Sequence, residues 1–179
     1  MKECLSYDDV LLSPRYSDIR SRSEVSIDTD LTNGLKLQFP VLASPMDTVS
    51  ESRMAAAIGH AGGTAVVHRY NTPMLEARYV SMARDLAAAQ GDGTIVIGAA
   101  VGVTGDFMDR ATAVVSAGAT FLCIDVAHGH HLMMKEAITN LRSEFGPDLH
   151  IMAGNVATLK GVNDLADWGA NSVRCNIGG

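Results

Sequence analysis

A chain of 179 residues, 47% hydrophobic and 19% charged, carries enough material for one domain with a real core. Its net charge of −6 argues against a nucleic-acid binder, because phosphates are held by surplus Lys and Arg. No apolar run approaches the roughly 18 residues of a membrane helix, and the N-terminus lacks the shape of a signal peptide, so neither a membrane nor export is expected. Cys4, Cys123 and Cys175 stand too far apart for a zinc pair or a disulfide framework, and the reducing cytoplasm is the expected compartment.

Residues 1–39 read as an N-terminal extension packed on the domain that follows, residues 40–179. Apolar bursts then alternate with amphipathic stretches. The bursts, 40–43, 64–67, 94–101, 120–126, 150–153 and 172–175, are short, rich in Val, Ile and Leu, and not alternating. That is the pattern of strands buried on both faces, as in parallel sheets. Ser50 is the candidate cap of the first intervening helix. In the second, Thr72 precedes a proline at the first helical position, and Leu75, Tyr79, Met82 and Leu86 mark one helical face. Thr104 is the candidate cap of the third. Met134, Ile138, Leu141 and Phe145 mark the fourth, which Gly146 closes with a left-handed cap and Pro147 prevents from continuing. Thr158 caps the fifth.

Six strands and five helices in alternation define an α/β protein. A doubly wound sheet would alternate in the same way, but its GxGxxG fingerprint after the first strand is absent. The prediction is a (βα)8 TIM barrel, of which this chain supplies roughly strands 1–6.

In such a barrel the chemistry sits at the C-terminal strand ends. Five loops there are rich in polar residues and glycine: 44–49, 68–71, 125–130, 154–156 and 176–179. Asp125 is placed either to accept hydrogen bonds from a ribose or to cap the next helix. Asn155 is a turn residue or a positioning group. Met46 is core filler or a ligand contact. Arg174 is a site residue or the partner of Asp125 or Glu51 in an ion pair. Cys175 falls within a strand and reads as a small buried hydrophobe, and Cys4 and Cys123 as structural. His128, His130 and His131 cluster with Asp125 in the sequence, yet their spacing matches no known zinc pattern.

The same loops carry a family resemblance. Tyr7-Asp8-Asp9-Val10-Leu11-Leu12 resembles the (F/Y)DDVLL opening of IMP dehydrogenases. Ser44-Pro45-Met46-Asp47-Thr48-Val49, with Glu51 after it, is similar to their SPMDTV loop. Asp125, Ala127, His128 and Gly129 look like the loop that holds the nicotinamide ribose, and Met152-Ala153-Gly154-Asn155-Val156-Ala157-Thr158 resembles the (A/G)GNV(A/V)T loop. Residues 173–179 align with the start of VxVGIGPGSxC. The whole chain from Tyr7 onward resembles the IMP dehydrogenase/GMP reductase family.

That resemblance implies a barrel that binds a purine nucleotide, IMP or GMP, and NAD or NADP, usually as a homotetramer. It implies that IMP dehydrogenases attack C2 of IMP with a loop cysteine, pass hydride to NAD and hydrolyse the adduct to XMP, a potassium ion ordering the cysteine loop. GMP reductases expel ammonia from GMP and take hydride from NADPH. Carried onto this sequence, Asp125, Val126 and Ala127 meet the cofactor, and Asn155 places its carboxamide or the cysteine loop. Asn176, Ile177 and Gly178 line the nicotinamide, and Gly178 gives a backbone carbonyl to potassium. Asn176 stands where the family has glycine, and Gly179 where it has proline. Ser44 and Met46 touch the substrate ribose and base. Ser21 and Arg22 belong to a segment that meets a neighbouring subunit's cofactor, and Arg69 and Arg174 support the chemistry. The nucleophilic cysteine falls four residues after Gly179, so the chain by itself is expected to be inactive. Pro45 and Arg69 lean toward the dehydrogenase. Residues 21–25, the His68-Arg69 pair and the short connection before Thr94, which has no room for a CBS pair, lean toward the reductase. The balance of the sequence lies slightly with IMP dehydrogenase.

Overall fold

The computed structural model describes residues 7–91 and 94–176. A small antiparallel hairpin, β1 (Thr29–Asp30) and β2 (Lys36–Leu37), comes first. Then follow β3 (Leu42–Ala43), α1 (Ser52–His60), β4 (Thr64–Val67), α2 (Pro73–Ala89), β5 (Ile97–Val101) and α3 (Phe107–Ser116). The described chain finishes with β6 (Phe121–Asp125), α4 (Leu132–Phe145), β7 (His150–Val156), α5 (Leu159–Asp167) and β8 (Ser172–Cys175). Strands β3 to β8 lie side by side in chain order, every neighbouring pair parallel. They curl into a half-barrel with the helices outside, the first six strands of a TIM barrel.

Side-chain alternation gives the sheet two different faces. Ala65, Val67, Ile97, Ala99, Val101, Leu122, Ile124, Ile151 and Ala153 pack outward in one large core with residues of the helices. Val66, Ala100, Phe121, Cys123 and Met152 point the other way, into the barrel. This inner lining mixes small and large side chains. Phe121 pairs in register with Gly98, and a Cβ on Gly98 would stand only 2.3–2.8 Å from three atoms of its ring. Glycine on one strand therefore makes room for the aromatic ring of the next.

The hairpin closes the N-terminal end of this lining. Its turn passes through Thr32, Asn33 and Gly34, all at positive φ, for which the Asn33-Gly34 pair is the sequence signal. Leu35 joins the inner cluster and Leu37 is also buried. Thr32 Oγ1 donates to the Asn171 carbonyl at 3.0 Å, and Asn33 Nδ2 to the carbonyls of Pro147 and Asp148 at 3.1 and 3.0 Å. Beside it His150 is buried, bonded to Ser172 Oγ at 2.8 Å, and burial holds its imidazole below the usual histidine range. Residues 8–28 of the preceding segment are exposed throughout, including Leu11 and Leu12.

Local signals were obeyed unevenly. Thr72 and Thr158 accept from the backbone N–H groups of Leu75 and Gly161, as cap residues should. Ser50 does not cap α1, whose N-cap position is Glu51; its hydroxyl instead donates to the Ser44 carbonyl and closes the loop after β3. Thr104 lies outside α3, whose N-cap position is Asp106. Gly146 ends α4 at φ 75, but its ψ of −171 is extended rather than left-handed helical. The largest difference is on α2. Its buried row is Glu76, Val80, Ala83 and Ala87, one position on from the expected face. Leu75, Met82 and Leu86 are exposed at 37–39%. The row with two alanines faces inward because α2 packs against both α1 and α3, and small side chains let helix axes approach closely.

Candidate functional site

At the C-terminal ends of the strands, three residues line up across the sheet. Asp125 on β6 is in register with Gly154 on β7, and Gly154 with Arg174 on β8. Arg174 Nη1 donates to Asp125 Oδ1, a bond that spans the intervening strand. It does so because Gly154 has no side chain: a Cβ there would stand 2.6 Å from Arg174 Cβ and 2.8 Å from its carbonyl. Arg174 Nη1 also lies 3.7 Å from Cys123 Sγ, one inward position below Asp125. Burial pushes the Cys123 thiol up to about 12, which makes it an inert group at neutral pH. The Asp125 carboxylate keeps Oδ2 without a hydrogen-bond partner among the described residues.

The loop after β6 is zipped onto β7. Val126 N–H donates to the Gly154 carbonyl at 3.0 Å, Asn155 N–H to the Val126 carbonyl at 2.8 Å, and Gly129 N–H to the Asn155 carbonyl at 2.7 Å. A Cβ on Gly129 would meet Asn155 backbone atoms at 2.9 and 3.2 Å, so only glycine permits this approach. The Gly154–Asn155 peptide is cis. Asn155 Oδ1 is buried and has no hydrogen-bond partner among the described residues. Ala127 is exposed.

Arg69, at the end of β4, donates through Nη2 to the Asp125 carbonyl at 3.2 Å and packs against Gly102, while its Nε is buried without an acceptor among the described residues. Behind it lies a network that periodicity gave no hint of. Glu76, fully buried on α2, accepts from Arg110 Nη1 at 2.6 Å. Arg110 also holds the Asn71 carbonyl at 2.7 Å and Asp106 at 3.0 Å. Burial pushes the Glu76 carboxyl up to about 8, with the bond and charge of Arg110 pulling the other way. The available signal was an acidic residue standing in the row of Val80, Ala83 and Ala87, where only a paired charge survives burial.

The loop after β3 brings Asp47 and Glu51 to the buried His68, their ligand atoms within 4.8 Å of one another. Glu51 Oε1 is 3.3 Å and Asp47 Oδ1 3.7 Å from His68 Nε2. His68 Nδ1 accepts from Tyr70 N–H at 3.2 Å, so the neutral ring carries its proton on Nε2 and donates it to Glu51. A metal ion would need that nitrogen bare; as built, the trio is a hydrogen-bond cluster. In the same loop Thr48 sits at φ 59, an unusual place for a β-branched residue. Ser44 and Met46 are exposed, Met46 at 56%, with Pro45 buried between them.

The other expected residues are scattered. His128, His130 and His131 do not gather around Asp125. His130 pairs with Asp164 at 2.7 Å, and His131 caps α4 by accepting from Met133 N–H. Ser21 and Arg22 begin an exposed 3-10 turn, with the Ser21 hydroxyl bonded within that turn. Asn176 N–H donates to the Val156 carbonyl at 2.9 Å. Ile177 and Gly178, with the potassium carbonyl expected of Gly178, lie outside the described residues, as does Cys4. Cys175 is exposed rather than buried, because β8 is an edge strand of the sheet among the described residues. No helix among the described residues is long and apolar enough to cross a membrane.

Comparison with known proteins decides the family. The model of the IMP dehydrogenase / GMP reductase domain matches residues 4–179. The chain belongs to the IMP dehydrogenase/GMP reductase family. It is 26% identical to the inosine-5'-monophosphate dehydrogenase of Nitrosopumilus maritimus, over 99% of this chain and 62% of that protein. It is 29% identical to the same enzyme of Borreliella burgdorferi, over 99% and 54%. Against the GMP reductase of Acidovorax ebreus it is 31% identical, over 98% and 51%. The chain thus spans roughly half to three fifths of the relatives it matches. The alignment with the Nitrosopumilus dehydrogenase runs over 294 positions, far longer than this chain, whereas that with the reductase runs over 178.

Proposed function

We propose that this chain forms the cofactor-facing part of a purine nucleotide oxidoreductase, acting as an IMP dehydrogenase: IMP, NAD and water give XMP and NADH. The observation that carries the reading is a pair of free acceptors at one strand-end cluster. Asp125 Oδ2 is open for a sugar hydroxyl, and the buried Asn155 Oδ1 lacks the donor that a carboxamide N–H would supply. Gly129 and Gly154 keep this corner free of side chains. The residues present fit a nicotinamide nucleotide. Bound there, the nicotinamide supplies the hydride acceptor; the chain's own part is to fix its ribose through Asp125, itself fixed by Arg174, and its amide through Asn155. Potassium is part of the proposal only through the family, since Gly178 is not among the described residues. Ser44 and Met46, on the loop after β3, are assigned to the purine nucleotide, and Ser21 and Arg22 to a neighbouring subunit's cofactor in a homotetramer.

The nucleophile is assigned to a cysteine beyond Gly179, because neither described cysteine suits the role. Cys123 is buried with a raised pKa, and Cys175 lies within strand β8 rather than on a strand-end loop. One observation favours GMP reductase as a second reading: the alignment with the Acidovorax enzyme needs almost no insertion. The reactions separate in a spectrophotometric assay of the gene product. NADH formed from IMP and NAD supports the dehydrogenase; NADPH consumed with GMP transfers the assignment to the reductase; the absence of both reactions overturns the enzyme reading. Thermal-shift titration of the chain with IMP, GMP, NAD and NADPH tests binding directly, and Asp125→Asn is expected to weaken the cofactor shift while leaving any IMP shift in place.

A further inference from the structure

We infer that His130 is a positioning residue: by donating to Asp164 on α5 it holds the loop after β6 in the shape that brings Val126 and Ala127 to the strand-end cluster. The claim deepens the cofactor reading, and rests on that reading only for what the loop carries.

Residues 126–131 connect β6 to α4 and have two sets of anchors. The first is the backbone zip of Val126 and Gly129 onto residues 154 and 155. The second is His130, whose Nε2 lies 2.7 Å from Asp164 Oδ2 and whose ring sits 6.0 Å from that of Trp168. The same Asp164 oxygen takes Lys160 Nζ at 2.6 Å. Lys160 and then His130 hold the Asp164 carboxyl below the ordinary carboxylate range, so it is an acceptor throughout neutral pH and His130 is the donor.

Every one of these partners lies on β7 or α5. The loop that follows Asp125 is therefore fastened to the next βα unit, the one that also carries Asn155. Such fastening keeps Asp125 and Asn155 in a fixed relation, which a cofactor touching both requires. The His130 side chain is 30% and that of Asp164 24% exposed, so the pair adds little to global stability. Its effect is local: it removes one way for a short loop to open.

Hydrogen exchange of the chain and its variants tests this. In His130→Ala, peptides covering residues 126–131 should exchange about threefold faster than wild type, while the core of β6 at Leu122 and Ile124 is unchanged. Asp164→Ala should do the same. His130→Gln, whose amide nitrogen reaches the same carboxylate, should restore protection. Unchanged loop exchange overturns the inference; so does an equal rise in β6, which would mark general destabilisation; so does failure of the glutamine rescue. Calorimetric titration with NAD and NADPH forms a second arm, in which His130→Ala weakens binding and His130→Gln recovers it. A loosened loop with undiminished affinity overturns the positioning role. If the wild-type chain binds neither nucleotide, the cofactor reading fails, while the exchange data still decide what His130 does.

Discussion

Arg174 reaches Asp125 across an intervening strand because position 154 carries no side chain. Gly154→Ala should therefore cost about 1–3 kcal/mol in denaturant unfolding, as overpacked positions do. Arg174→Gly made in the same chain removes the Cβ that the new methyl would meet and should recover part of that loss, a non-additivity that a double-mutant cycle would expose. Glu76 offers a second test at this scale. Its folded pKa, about 8, lies above the ordinary 4.5, so the folded chain keeps a proton that the unfolded chain releases. Stability should fall as pH rises from about 4.5 to about 8, and Glu76→Gln should flatten that slope. Arg110→Met should cost about 3 kcal/mol at alkaline pH, where it strands a buried carboxylate, and less at pH 6. The strand-end placement of Asp125, Asn155 and Arg174 was legible from sequence because they fall inside recognisable motifs. Glu76 and His130 were not, since their partners Arg110 and Asp164 lie 34 residues away and only the fold brings them together.

Strands and helix caps follow from short-range chemistry, and there the sequence was readable in part: Ser50 and Thr104 do not cap the helices that follow them. Burst and strand coincide at β4 and β8, and Thr72 and Thr158 cap as expected. The facing of α2 was not readable, because hydrophobicity identifies apolar rows but does not rank them by the width of the gap they must fill. A row of leucine and methionine was displaced by one of alanine, valine and a paired glutamate. The difference is measurable. Ala83→Leu should destabilise by about 1–3 kcal/mol through overpacking. Met82→Lys, on the exposed neighbouring row, should stay within about 0.5 kcal/mol of wild type by the same denaturation measurement. The hairpin β1–β2 was signalled only by Asn33-Gly34, and its strands of two residues are too short for periodicity to register.

The whole sheet is built from neighbours: each strand from β4 to β8 pairs with the strand just before it in the chain. Pairing of this kind keeps sequence separations short, one helix and two turns at a time. The floor hairpin is the exception. Thr32 donates to Asn171 across 139 residues, and Asn33 reaches Pro147 and Asp148. Amides of Leu35 and Leu37 should accordingly gain protection after those of Leu122 and Ile124 when refolding is followed by pulsed hydrogen exchange; simultaneous protection would refute the order. On the ribosome the consequence is temporal. Each βα unit can settle against its predecessor as it emerges, but the segment synthesised first must wait beside the growing wall, and the floor of the barrel is sealed only once the last described strand has left the exit tunnel.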